Sequence, residues 1–269
     1  MRRVALTLRA DAVEDVLDVL MPLLPQGVYE RELDAERTEV AFYGDALPAA
    51  GELDAIAGAA LLARDEEEAA DDRAERRRRA GRAREVAGRL RVRSPDDPSP
   101  AASGLLDIVI EPVAGAFGTG AHPTTRMSLE LLLRMEPAGG FADLGCGAGV
   151  LAIAAARLGW DPVFAVDAEA RAVEATQRNA ARNGVAVHAV RADLRDVPPP
   201  PAGTLVANLP FFVHERVATR VDDATRQVIA SGIVDDQAAA TGALYAAAGH
   251  TERARLSEHG WAALWLART

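Results

Sequence analysis

Lysine is missing altogether: all 30 basic residues are arginine, set against 40 acids, and the net charge of the 269-residue chain is -10. A chain of this kind offers no internal ε-amine to a lysine-modifying activity. The acidic excess argues against general nucleic-acid binding and suits a basic partner. Cysteine is nearly missing too. With Cys146 alone no disulfide can form within the chain, and a cytoplasmic setting is expected. Long apolar runs are also lacking. No stretch reaches the roughly 20 residues that span a bilayer, and Met1-Arg-Arg-Val-Ala-Leu-Thr-Leu-Arg-Ala-Asp11 is too polar for a signal peptide. Membrane association and direct nucleic-acid binding are therefore not expected. What is present, 49% hydrophobic and 26% charged residues, is the composition of a folded chain with length for one large or two modest domains.

The chain is organised around Phe141-Ala-Asp-Leu-Gly-Cys-Gly-Ala-Gly-Val150, which packs the end of a strand, three alternate glycines and the start of a helix together. Phe141 to Leu144 reads as a short apolar strand bearing Asp143, and Val150 to Leu158 is rich in helix-forming Ala and Leu. Gly145, Gly147 and Gly149 fill the turn, where the backbone must bend sharply and admit a ligand without a Cβ in the way. Cys146, inside that turn, reads as a small filler. A second apolar strand, Val163 to Asp167, ends in an acid about 20 residues past the first glycine, where such folds set a carboxylate on ribose hydroxyls. A dinucleotide fingerprint would place glycine where Val150 stands. The observed G-x-G-x-G opened by Asp143 resembles motif I of the class I S-adenosylmethionine (SAM) methyltransferases, whose ligand has no pyrophosphate.

Before this stretch, Val4, Leu6 and Leu8 alternate as in a half-buried strand, and Val13, Val16, Leu17 and Leu20 recur at helical spacing. Strands at 27–33 and 38–43, a helix at 49–62 and a strand at 89–93 complete a βαββαβ order, the ferredoxin-like one, in a docking domain of residues 1–95. The run Arg64 to Arg79, acidic first and basic last, reads as a continuation of the second helix, its charges suiting the macrodipole. Arg76 to Arg79 are read as a solvated helix face, with a ribosomal RNA contact as the alternative. The proline-rich stretch Ser94 to Gly104 supplies the linker, placed at 96–104, ahead of a second domain at 105–269. There a strand at 106–111, a helix at 126–135, a helix at 172–183, strands at 185–190, 204–208 and 227–231, a helix at 235–248 and a closing hairpin follow. Alternation of this kind gives an α/β fold, a doubly wound and mostly parallel sheet.

Four segments in order, Phe117-Gly-Thr-Gly-Ala-His-Pro-Thr-Thr125, Asp143-Leu-Gly-Cys-Gly-Ala-Gly149, Asn179-Ala-Ala-Arg-Asn-Gly184 and Ser231-Gly-Ile233 with Gln237, resemble the PrmA family, methyltransferases of large-subunit ribosomal protein eleven. The resemblance runs from about Glu111 to the C-terminus. It implies a Rossmann-like class I methyltransferase that uses SAM as methyl donor and needs no metal, a ribosomal protein as substrate, and SAM contacts from Thr125, Gly145, Asp167 and Asn208. The residues agree for the last three: a glycine turn with Gly147 and Gly149 under the methionine moiety, a carboxylate on the ribose, and a polar side chain at a strand's C-terminal end. Asp193, at the end of the following strand, is placed to accept from the adenine amino group. His122 reads as a structural loop histidine. One departure stands out, since Asn208-Leu-Pro-Phe211 replaces an Asn-Ile-Leu-Ala-like run and approaches the Asn-Pro-Pro-Tyr/Phe motif of enzymes acting on amides and base amines. The activity expected is SAM-dependent N-methylation of lysine and N-terminal amines of that ribosomal protein, with Asn208 aiming the acceptor amine. The alternative acceptors are another protein, a glutamine amide or a nucleobase. Phe211 either walls the acceptor channel or packs in the core.

Overall fold

The computed structural model describes residues 2–20, 23–24, 29–34, 36–44, 47–68, 83–97, 99, 104–111 and 122–268. The chain divides into two compact units, Met1–Arg77 and Arg78–Thr269. The first runs β1 (Arg2–Arg9), α1 (Val13–Leu20), β2 (Tyr29–Asp34), β3 (Arg37–Gly44), α2 (Ala50–Ala57) and β4 (Leu61–Glu68). Its strands form an antiparallel sheet in the order β2-β3-β1-β4. Val4, Leu6 and Leu8, one face of β1, bury against Val13, Val16 and Leu20 of α1, Phe42 of β3 and Leu53 of α2, as the period-two and helical spacings require.

β4 corrects the expectation of a long charged helix. Helix α2 stops at Gly58, and Leu61–Glu68 pairs antiparallel with β1 instead, Leu6 opposite Arg64 and Arg2 opposite Glu68. Helix propensity is a weak prior that tertiary context overrides even in a run of good helix formers such as Ala, Glu and Arg, and here the edge of β1 offers backbone partners along Leu61–Glu68, with one shift of register between Thr7 and Leu8. Charges also suit an edge strand, where they block further pairing: Arg2 meets Glu66 at 2.9 Å, and Arg64 pairs with Asp54 of α2. The Arg76 to Arg79 run lies outside the described residues.

The strand expected to close this module, at 89–93, belongs to the second unit, so the division falls ahead of the proline-rich stretch. There β5 (Arg84–Val86), β6 (Leu90–Arg93) and β7 (Leu106–Val109) make a small sheet, β5 antiparallel and β7 parallel to β6. Val86, Leu90, Val92 and Ile108 sink into the larger core. The main body continues with α3 (Pro123–Leu132), β8 (Phe141–Leu144), α4 (Val150–Leu158), β9 (Val163–Asp167), α5 (Ala170–Arg182), β10 (His188–Arg191), β11 (Thr204–Asn208), α6 (Phe211–Ala218), β12 (Gln227–Val234), α7 (Ala238–Ala247), β13 (His250–Glu258) and β14 (Trp261–Arg268). Seven strands lie in the order β10-β9-β8-β11-β12-β14-β13. The first five are parallel, β14 runs antiparallel beside β12, and β13 beside β14. This is the doubly wound sheet expected.

Both faces are covered, and side chains alternate between two cores. Val206 and Ile229 join α3 and α4 on one face, while Leu205, Ala207, Val228 and Ala230 join Val213 and Val217 of α6 and Tyr245 of α7 on the other. Helix α3 begins at Pro123, ahead of the expected 126. His122 caps it by accepting from the Thr124 N–H, and proline at the first position has no N–H to leave unpaired. Among the described residues, no helix is long and apolar enough to cross a membrane.

Candidate active site

Chain order reverses beside β8: from it the sheet grows one way through β9 and β10, and the other way through β11 and β12. Ligands of open α/β sheets gather at such a point, beyond the strands' C-terminal ends. A cleft of about 640 Å³ opens there, within the range of small-molecule sites. Gly145 after β8, Asp167 at the end of β9, Asp193 after β10 and Asn208 at the end of β11 all line it, together with His122 and Trp261.

The glycine turn is pinned from several sides. Gly145 and Cys146 donate to the Val166 carbonyl at 2.8 and 3.0 Å, and the Gly147 N–H donates to Asp167 Oδ2 at 2.9 Å. Asp167 Oδ1 accepts from the Glu169 N–H at 2.9 Å. A carboxylate has about four acceptor positions, so Asp167 keeps capacity toward the cleft after taking both N–H groups. Gly145, at φ 76°, has a backbone that strains any side chain, and a Cβ there would also push aside Leu209 Cδ2, 2.5 Å away. Gly147 and Gly149 do not line the cleft. They shape the turn from behind, where a Cβ on Gly149 would strike Thr176. Burial pushes the Cys146 thiol up, so it stays protonated and inert.

Asn208 sits beside Thr125, whose hydroxyl accepts from Asn208 Nδ2 at 3.4 Å. Thr125 is 1% exposed and does not line the cleft; its hydroxyl meets the Asn208 amide behind it. Nδ2 keeps a second N–H, and Oδ1 is the acceptor of this side chain. The following turn is fixed by the Ser231 carbonyl on β12, which accepts from the Leu209 N–H at 2.9 Å and from His214 Nε2 at 2.9 Å. Burial holds His214 down to about 4, so the ring is neutral and its Nδ1 faces the Tyr245 hydroxyl at 3.0 Å. Gly232, at φ 82°, is forced by the same crowding: a Cβ would lie 2.6 Å from Leu209 N and 2.9 Å from Asn208 Oδ1. Neither Gly232 nor His214 was assigned a place in the site from sequence, although Ser231-Gly-Ile233 was there to be read.

Asp193 is gripped by its own neighbour. Arg195 reaches it with Nη2 at 2.6 Å and its backbone N–H at 2.9 Å, holding the carboxyl at about 2. It lines the cleft fully ionised. His122 spends Nδ1 on the Thr124 backbone and hydroxyl and stacks edge-on against Trp261 at 4.9 Å. Burial, with the Arg126 charge adding, holds it below its ordinary value. Phe211 is half-buried and packs into the α6–α7 core. The ring in the cleft is instead Phe212, 55% exposed. Among the described residues, no group of three or more His, Cys, Asp or Glu side chains is arranged to hold a metal ion.

A seven-stranded sheet ending in an antiparallel hairpin, with a glycine turn and a cleft-lining acid at its switch point, defines a class I methyltransferase. The sequence profile described as "Ribosomal protein L11 methyltransferase (PrmA)" matches residues 84–269, and the chain belongs to that family. A ribosomal protein L11 methyltransferase of Brucella suis is 35% identical over 257 residues, spanning 90% of this chain and 89% of that protein. Its counterpart in Thermotoga petrophila is 36% identical over 170 residues, and there the match spans only 60% of the relative's length. In three dimensions the chain is similar to the ribosomal protein L11 methylase of Lactobacillus delbrueckii subsp. bulgaricus, with a TM-score of 0.61, 26% identity and coverage of 70% of this chain and 97% of that one.

Proposed function

We propose that the cleft binds SAM and that the chain methylates amino groups of ribosomal protein L11, at lysine and the N-terminus, in the cytoplasm. The observation that carries this reading is Asp167 and Asn208 facing one cleft across the switch point, in a chain of this family. The residues present suit the cofactor: Asp167 with spare acceptor capacity for vicinal hydroxyls, ionised Asp193 beyond it for the adenine edge, and Gly145 and Gly232 clearing space where side chains would intrude. SAM supplies an activated methyl group on a sulfonium.

This chain's own work is then orientation. An aliphatic amine of pKa about 10.4 is neutral in only about one molecule in 2,500 at pH 7, and a site that excludes water favours the neutral form. Asn208 Oδ1, its partner amide fixed by Thr125, accepts an amine N–H and aims the lone pair. Phe212 and Trp261 supply apolar wall around it. The acidic chain suits a basic ribosomal protein.

The test is incubation with labelled SAM and a mixture of ribosomal proteins and RNA. The label is expected on L11. Label on another protein or on RNA would overturn the acceptor, and failure of SAM to bind in a calorimeter would overturn the cofactor.

A further inference from the structure

Helix α5 and its C-cap residue carry a polar stripe, buried at Thr176 and Asn179 and part-buried at Asn183, that the chemistry above does not use. Thr176, Asn179 and Asn183, at helical spacing, share one face. Thr176 donates to the Gly147 carbonyl at 3.1 Å. Asn179, 1% exposed, donates from Nδ2 to the Ala148 carbonyl at 2.9 Å and to the Glu111 carbonyl at 3.3 Å, while its Oδ1 accepts from the Glu111 N–H at 2.9 Å. Asn183 accepts from the Val109 N–H at 2.9 Å and donates to the Val109 carbonyl at 2.7 Å. The two carboxamides thus act as a substitute strand along β7, since Val109 and Glu111 present their backbone groups to the same side.

The two asparagines differ in one respect. Among the described residues Asn183 holds only the strand and its own helix, whereas Asn179 ties the strand's end to the glycine turn. A fully buried amide is costly unless every group is satisfied, and an apolar residue would fill the space without that demand. We infer that Asn179 is a positioning residue for the cofactor: by joining Glu111 to Ala148 it fixes the peptide planes of the turn whose Gly145 floors the cleft and whose Gly147 N–H orients Asp167. This rests on the proposed SAM reading.

Calorimetric titration of SAM into the full-length chain and its Asn179→Ser and Asn183→Ala variants tests it, with thermal midpoints recorded for each. Both substitutions lower the midpoint. Asn179→Ser is expected to raise the SAM dissociation constant at least fivefold, and Asn183→Ala, which loses as many bonds, to leave it within twofold. A folded Asn179→Ser with unchanged affinity, or an equal loss in Asn183→Ala, overturns the inference and leaves the cofactor reading standing. Absence of SAM binding by the unaltered chain overturns both. Should Asn179→Ser not fold, hydrogen exchange of the unaltered protein decides: saturating SAM is expected to slow exchange of the Glu111 amide at least fivefold by reciprocity of coupling, and unchanged exchange there overturns the inference.

Discussion

Asp167 holds the glycine turn and faces the cleft at once, so its removal acts twice. Charge-assisted bonds of roughly 1.5 to 3 kcal/mol are at stake, and Asp167→Ala should weaken SAM at least tenfold by calorimetry. Unchanged affinity in that folded variant would remove the ribose assignment. Asp143, wholly buried under the turn, has a different signature. Its Oδ2 accepts from the Ala152 N–H at 3.0 Å, but Oδ1 has no partner among the described residues. Burial pushes this carboxyl up to about 7, the Ala152 N–H opposing and the Asp167 charge adding. Between the unfolded value of about 3.9 and this one, the folded chain holds a proton that the unfolded chain has released. Stability therefore falls as pH rises through that window, and the penalty is complete above it, at most about 4 kcal/mol. Asp143→Asn should raise the urea midpoint more at pH 8 than at pH 5; an equal change at both would show that Asp143 does not titrate in this range. Sequence located both acids because each ends or lies in an apolar strand at fixed distance from the glycines. It could not separate Phe211 from Phe212, whose opposite fates depend on the rotation of α6.

At the scale of elements, β8, β9 and β11 were legible to the residue because short apolar strands bounded by glycine, proline and acids have few alternative readings. Helix α6 was not, since Phe211–Ala218 follows Pro210 directly and mixes polar with apolar residues. Nor was β4, where a helical composition yields to an open sheet edge. The β11–α6 turn and the Gly232 bend of β12 are locked together, and Gly232→Ala tests that lock. Positive φ and contacts under 3 Å with Leu209 and Asn208 predict a stability loss of about 1 to 3 kcal/mol. Because Asn208 must move, kcat should drop more than SAM affinity; a loss confined to stability would mean that the turn does not aim the acceptor.

For the molecule as a whole, every proposed cofactor residue lies in the second unit. A chain beginning at Arg78 should keep SAM affinity within about twofold, yet methylate intact L11 far more slowly, as the docking role expected of the first unit requires through local concentration. Equal methylation by both chains would dismiss the docking role. A chain beginning near residue 100 should fare worse than either in thermal melting. It loses Val86, Leu90 and Val92, each 5% exposed or less, and core truncations of this kind cost several kcal/mol.

The parallel pairing of β6 with β7 changes what the proline-rich stretch between them is. Both of its ends are anchored in one sheet, so it closes a loop inside a single body, as a handle does, and carries none of the load between bodies. A protease that nicks it once should leave two fragments that co-migrate through gel filtration without denaturant and separate only in its presence. Fragments that part under native conditions would show that the strand pairing cannot hold them.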